Sequence, residues 1–224
     1  MPADATDARL RAAVHPSGWT NPEPRGRYDL LVIGGGTAGL VSAMGAAGLG
    51  ARVALVEREL LGGDCLNTGC VPSKALIAAG EAAEAVRTSS KFGVNGHEPA
   101  IDFAKVHAHV HGVIAAIAPH DSVERFEGLG CTVIQDAACF TSPATLRAGG
   151  AEIRARRFVV ATGSSAFVPP IPGIKDVSYL TNETVFELTE APAHLIVIGG
   201  GPIGLELAQA HRRLGARVTV LEMF

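Results

Sequence analysis

Tyr28-Asp29-Leu30-Leu31-Val32-Ile33-Gly34-Gly35-Gly36-Thr37-Ala38-Gly39 decides the fold. An apolar run of strand length stops at a glycine cluster and passes into small residues that suit a helix from Ala38 to Leu49. Arg52-Val53-Ala54-Leu55-Val56-Glu57 then reads as a second buried strand, so the segment from Tyr28 to Glu57 is a βαβ unit. The glycines follow the G-x-G-x-x-G spacing. Gly34 permits the tight turn, Gly36 lets backbone approach a pyrophosphate, and Gly39 lets helix and strand close together. The helix N-terminus favours an anion, and Glu57, about twenty residues on, is placed to accept hydrogen bonds from a ribose. The glycine spacing alone is a weak signal. With a strand before it, a helix after it and an acid at the right distance, it predicts dinucleotide binding.

The same grammar returns near the end of the chain. His194-Leu195-Ile196-Val197-Ile198 is a strand, Gly199-Gly200-Gly201-Pro202-Ile203-Gly204 a second glycine loop, and Leu205 to Leu214 a helix. Arg217-Val218-Thr219-Val220-Leu221-Glu222 is the next strand. Two such units in one chain say far more than one. Glu222 at the strand end favours a free 2′-hydroxyl over a 2′-phosphate, which it would repel.

Between them lies Gly62-Gly63-Asp64-Cys65-Leu66-Asn67-Thr68-Gly69-Cys70-Val71-Pro72-Ser73-Lys74. Pro72 suits a first helical turn and the following residues are mostly tolerable or good helix formers, which places the thiols at a helix N-terminus. Residues five apart stand about 140° apart around an ideal helix. A bridge between them therefore needs distorted backbone, which Asn67, Thr68 and Gly69 permit. Cysteines at a helix N-terminus beside a lysine are in general the nucleophilic ones. Spacing alone leaves open a redox pair, a structural pair and a metal site. The last usually needs a second ligand pair, and none follows in the sequence.

Gly-Gly-x-Cys-Leu-Asn-x-Gly-Cys-Val-Pro-Ser-Lys resembles the redox signature of the class I pyridine nucleotide-disulphide oxidoreductases, which include dihydrolipoamide dehydrogenase, glutathione reductase and mercuric reductase. The resemblance implies an α/β chain: a Rossmann-like FAD-binding domain, with a parallel sheet, helices and a small β region, followed by the first βαβ of a second, NAD(P)-binding Rossmann domain. It implies FAD at the first loop, held through Gly34, Gly36, Thr37, Ala38, Gly39, Glu57, Arg58, Gly63, Asp64, Lys74, Ala138, Ala161, Thr162 and Gly163. Asp64 departs from the pattern, since many relatives carry a phosphate-contacting Thr there. NAD(P)H, with NADH favoured, is implied at Gly199, Gly201, Ile203, Gly204 and Glu222. The catalytic set implied is Cys65 as the outer, substrate-attacking thiol, Cys70 as the inner thiol facing the flavin, and Lys74 with Glu206 near the flavin ring. Electrons would pass from NAD(P)H through FAD to a Cys65–Cys70 disulfide, and on to a disulfide or Hg(II) substrate. Ser73 before Lys74 is similar to dihydrolipoamide and mercuric reductases rather than to glutathione reductase.

Composition bounds the rest. The 224 residues are 47% hydrophobic, enough for a core in one or two domains, and the net charge of -3 gives no electrostatic footprint for nucleic acid. Four cysteines, two in a redox-like spacing, fit a reducing, cytoplasmic compartment, and the N-terminus carries no signal-peptide pattern. Leu30 to Ala51 is 22 residues without a charge, yet it holds seven glycines and reads as strand and phosphate loop rather than a membrane span.

Residues 1–27 read as an extension with a short helix at most and then an extended arm; no Cys pair there marks a metal-capture domain. Residues 28–190 read as the FAD domain and 191–224 as the start of the nucleotide domain. Ala75 to Val86 and Phe103 to Ile117 read as helices. His107 and His111 share a helical face, but no third ligand is evident, and a solvated face including His109 is the commoner outcome, so no metal site is assigned. Residues 131–168 read as a small β region and a return strand through Arg157 to Ser164, with Cys131 and Cys139 as packing residues. Two strands and a helix cannot bury their own apolar faces. The expectation is thus the front half of the family pattern, without the dimerisation domain and its His-Glu acid/base pair. A binding module that holds FAD or nothing, without turnover, is the alternative.

Overall fold

The computed structural model describes residues 5–223; residues 1–4 of the expected arm, and Phe224, lie outside the described residues. The chain divides into two compact units, one built from the chain up to Asn67 with Ile114–Ile174, the other from Thr68–Val113 with the chain from Lys175 onward.

The first unit opens with α1 (Ala5–Val14), whose Val14 is fully buried. The arm that follows is stapled down. Asn21 accepts the Gln135 N–H at 2.8 Å and donates to the Gln135 carbonyl at 3.0 Å, while the Trp19 indole donates to Asn21 at 3.0 Å. Next come β1 (Arg27–Ile33), α2 (Thr37–Gly48), β2 (Val53–Glu57) and the one-turn α3 (Gly63–Asn67).

α4 (Cys70–Thr88) belongs to the second unit, as does α5 (Phe103–Ile117) up to Val113. Further along, α6 (Val123–Gly128), β3 (Thr132–Gln135), β4 (Cys139–Ser142), β5 (Thr145–Ala148) and β6 (Ala151–Val160) complete the first unit's elements.

The first unit's sheet runs β3-β2-β1-β6-β5-β4. β1 lies parallel to β2, from Leu30 opposite Val53 to Ile33 opposite Val56, and parallel to β6 on its other side. β2 lies parallel to β3, and β5 lies antiparallel to both β4 and β6. Val53, Ala54, Leu55 and Val56 are all buried, as the run of β-branched and aliphatic residues in an inner parallel strand requires. Tyr28, Leu31, Ile134, Leu146 and Ile153 form the core beside them.

The return strand differs from its sequence reading. β6 starts at Ala151 and ends at Val160, because the hairpin with β5 recruits residues 151–154. The Ala161 N–H still bonds the Ile33 carbonyl at 2.8 Å, after which Gly163, with φ of 70°, leads the chain out of the sheet.

In the second unit, β7 (His194–Ile198), α7 (Pro202–Arg213) and β8 (Arg217–Leu221) form a βαβ with β7 parallel to β8. α7 lies close on α4 at Gly80, where a Cβ would stand 3.3 Å from the Ala210 carbonyl oxygen. Arg87 on α4 bonds Glu84, Glu98 and the Arg213 carbonyl, tying both helices to the loop after residue 92. Ile196, Ile198, Leu205 and Leu221 stay exposed, as expected of two strands and one helix.

Candidate active site and its two glycine loops

The first loop is built as the glycine spacing requires. Gly34 adopts φ of 102° and donates to the Val56 carbonyl at 2.8 Å, so the turn is pinned to the neighbouring strand. A Cβ on Gly39 would strike the Gly34 carbonyl oxygen, which is why the helix can begin this close to the strand. Gly36 stands at the N-terminus of α2 with no side-chain cap, and the first turn carries no acid. The first N–H groups of the helix are therefore left for an external anion. A Cβ on Gly36 would meet only the Gly63 Cα, at 3.7 Å, so this glycine leaves an open cradle.

Glu57 ends β2 with one carboxylate oxygen accepting from Gly35 N–H at 2.5 Å and the other from Glu59 N–H at 2.7 Å. Its carboxylate thus already sits at the loop, where a ribose hydroxyl can compete for it. Arg58 is exposed beside Glu59, at 3.3 Å.

The glycine pair of the cysteine motif docks onto this loop. Gly62 N–H donates to the Gly35 carbonyl at 2.8 Å, and Gly36 and Gly62 form a parallel bridge. Gly63, with φ of 52°, lies so close that a Cβ would stand 2.7 Å from the Gly36 Cα. A side chain at Gly63 would push the two backbones apart. This contact sets α3, and Cys65 half-buried within it, directly against the first loop. Asn67 closes the turn by donating to the Leu61 and Gly63 carbonyls at 3.2 and 2.9 Å. Asp64 is exposed in the first turn of α3. Ala161 also borders the loop, its carbonyl oxygen lying where a Cβ on Gly34 would be. Thr162 and Gly163 follow it on the exposed side, whereas Ala138 packs against the core.

In the second unit Cys70 is the exposed first residue of α4, after Gly69 as the N-cap. Ser73 ties this first turn back by donating its N–H to the Gly69 carbonyl at 2.9 Å and its hydroxyl to the Cys70 carbonyl at 3.2 Å. Lys74 follows, one residue on, and its Nζ lies 2.6 Å from Glu206 Oε2 on α7. The second glycine loop repeats the first. Gly199, with φ of 110°, donates to the Leu221 carbonyl at 2.9 Å, and Glu222 accepts the Gly200 N–H at 2.5 Å, as Glu57 accepts that of Gly35. Gly204 packs under Gly199 as Gly39 does under Gly34, and Gly201 opens α7 with open space around it. Ile203 is exposed at the head of that helix.

A model of the pyridine nucleotide-disulphide oxidoreductase family matches residues 28–224. This chain belongs to that family. Among curated relatives, the chain is 34% identical to mercuric reductase of Bacillus cereus over 222 residues, covering 99% of this chain and 35% of that protein. It is 33% identical to dihydrolipoyl dehydrogenase of Acholeplasma laidlawii over 208 residues, covering 88% of this chain and 60% of that protein. The chain thus spans between a third and two thirds of the length of these relatives. Among solved structures, the HOCl-induced flavoprotein disulfide reductase RclA of Escherichia coli superposes with a TM-score of 0.71 at 30% identity, over 87% of this chain and 42% of that one.

The sequence alone points to both loops and both cysteines, and the structure builds the loops around the glutamates the spacing singles out. It does not point to the docking of Gly62 and Gly63 onto the first loop, for which the only signal was the pairing of two glycines. Among the described residues no helix is long and apolar enough to cross a membrane.

Proposed function

We propose that this chain provides the FAD-holding and thiol-bearing part of an NAD(P)H-dependent disulfide oxidoreductase. Residues 28–190 serve the flavin and 191–224 begin the nicotinamide site. The observation that carries the reading is the backbone contact of Gly63 on Gly36, which sets the Cys65 helix against an uncapped, anion-ready helix N-terminus.

The residues present fit FAD. The Gly36 cradle and the first turn of α2 accept its pyrophosphate, Glu57 its adenosine ribose, and Gly34, Thr37, Ala38, Gly39, Arg58, Gly63, Asp64, Ala138 and Ala161 to Gly163 border it. When bound, FAD supplies a two-electron relay between NAD(P)H and the Cys65–Cys70 pair. Cys70 is the inner thiol, at a helix N-terminus that favours negative charge. Cys65 is the outer thiol and attacks the substrate, a small-molecule disulfide or Hg(II). Lys74 places a positive charge by the relay and Glu206 holds its ammonium in position. Gly199, Gly201, Ile203 and Gly204 receive the nicotinamide dinucleotide, and Glu222 selects NADH by repelling a 2′-phosphate. The intact enzyme works as a homodimer in the cytoplasm.

Titration of the purified chain with FAD, followed by NADH, tests this through the visible spectrum. Bound flavin that gains a long-wavelength band on reduction, and loses it in Cys70→Ser, is the expected result. A chain that retains no flavin overturns the reading. Flavin that is retained but not reduced supports a binding module instead.

A further inference from the structure

Within the second unit, two histidines at i and i+4 on α5 meet a carboxylate from a distant turn. The ring centroids of His107 and His111 lie 4.2 Å apart, and His111 Nε2 stands 3.8 Å from Glu187 Oε1. One ligand atom from each of His107, His111 and Glu187 falls within 4.8 Å of the other two. We propose that these three residues form a site for a divalent transition-metal ion of the zinc class, built from residues outside the cysteine motif and outside the glycine loops.

The donor set decides the class of ion. Two imidazole nitrogens and one carboxylate oxygen suit borderline ions, whereas magnesium and calcium prefer all-oxygen shells and soft ions prefer thiolates. Helical spacing of i and i+4 puts both rings on one face, as in the paired histidines of helical zinc sites. One separation is near that required, and the other two lie within 4.8 Å. With metal–nitrogen and metal–oxygen bonds of about 2.0–2.2 Å, a tetrahedral site separates two ligand atoms by about 3.4 Å. The His111–Glu187 separation of 3.8 Å needs only a small side-chain rotation to reach that.

Burial is graded as a three-ligand site needs. The His111 side chain is 8% exposed, and its Nε2, 3.2 Å from the Phe186 carbonyl, gives up that hydrogen bond and its proton to ligate the ion, while Glu187 is 66% exposed, leaving access for the ion and for a water as fourth ligand. A second observation lies beside it. His107 and Phe186 line a small cavity that His211 also lines, and the two ring nitrogens of His211 are buried with no hydrogen-bond partner among the described residues. His109, on the opposite side of α5, is exposed and takes no part. A bound ion fastens the turn at Val185–Glu187 to α5.

The test is calorimetric titration of the full chain with Zn²⁺ alone, in a Cys65→Ser/Cys70→Ser/Cys139→Ser background that removes competing thiols. One ion per chain is expected, with a rise in the thermal unfolding midpoint because the ion binds only the folded form. His107→Ala and Glu187→Gln should each weaken binding at least tenfold with unchanged circular dichroism, and His109→Ala should not. Glu187 is exposed, so its variant tests the site without disturbing the core. No binding in the triple-serine chain, whose one remaining thiol is the buried Cys131, overturns the site. So does an effect confined to one of the two ligand variants, or an equal effect of His109→Ala.

Discussion

Lys74 Nζ and Glu206 Oε2 stand 2.6 Å apart, joining the helix that starts at Cys70 to the helix that starts at the second glycine loop. Both side chains are substantially exposed, so solvent screening leaves the pair little to contribute to folding, about 0.2–1 kcal/mol. Glu206→Gln should therefore shift the denaturant midpoint only slightly. If the pair positions the ammonium for electron transfer, the same variant slows flavin reduction by NADH about tenfold, or ~1.4 kcal/mol of barrier. Stopped-flow reduction beside a urea titration separates the two. A large stability loss with unchanged reduction would make the pair a structural clamp.

Gly36 and Gly39 lie in one loop and should fail differently. Gly36 has extended backbone, and a Cβ there meets nothing closer than 3.7 Å, so Gly36→Ala should leave stability within about 0.5 kcal/mol while filling the phosphate cradle and weakening FAD binding at least ~tenfold. A Cβ on Gly39 strikes the Gly34 carbonyl oxygen, so Gly39→Ala should cost about 1–3 kcal/mol of folding free energy as well. Flavin titration and denaturant unfolding on both variants check this. Equal FAD affinity for Gly36→Ala and the parent chain would show that the pyrophosphate does not sit at Gly36.

The glutamates and the glycines show how much sequence could tell. In a βαβ unit the path from loop to second strand end is fixed by one helix and one strand, so Glu57 and Glu222 could be placed on their loops by counting residues. The bonds to Gly35 and Gly200 agree. Periodicity likewise put His107 and His111 on one face, but it reports only partners on the same helix. Glu187 arrives from a turn far along the chain, and nothing in residues 181–188 distinguishes it from any solvated acid. The Gly63–Gly36 contact and the Asn21 staple onto Gln135 were hidden for the same reason: both join segments with no shared period. The return strand begins earlier than its apolar run indicates because Ala151 to Arg156 alternates apolar with charged residues, the pattern of a hairpin strand with one wet face, before the chain enters the parallel sheet.

The proposed preference for NADH has a direct test at Glu222. Its carboxylate lies on the second loop with one oxygen 2.5 Å from Gly200 N. A 2′-phosphate brought there would meet a like charge. Replacing Glu222 by Ala should raise kcat/KM for NADPH relative to NADH by about tenfold, ~1.4 kcal/mol in relative transition-state binding. Steady-state rates with both nucleotides check it. An unchanged ratio would place the discrimination elsewhere.

His211 sets a dependence of folding on pH. It is 1% exposed on α7, stacks on Phe103 with ring centroids 5.9 Å apart, and offers two ring nitrogens that find no partner among the described residues. Burial pushes its pKa below the ordinary 6.5, since a charged imidazole has no solvation there. A group with a depressed folded pKa takes up its proton in the unfolded chain first. Its stability contribution is therefore complete above about pH 6.5 and is lost as pH falls toward the folded value. His211→Phe keeps the stacking on Phe103, removes the unpaired nitrogens and has no proton to gain. It should flatten the decline in denaturant midpoint between pH 8 and about pH 5.5 relative to the parent chain. It should also raise stability at neutral pH, since two buried polar atoms without partners are removed. An identical pH profile in both proteins would show that the imidazole is solvated in the folded state.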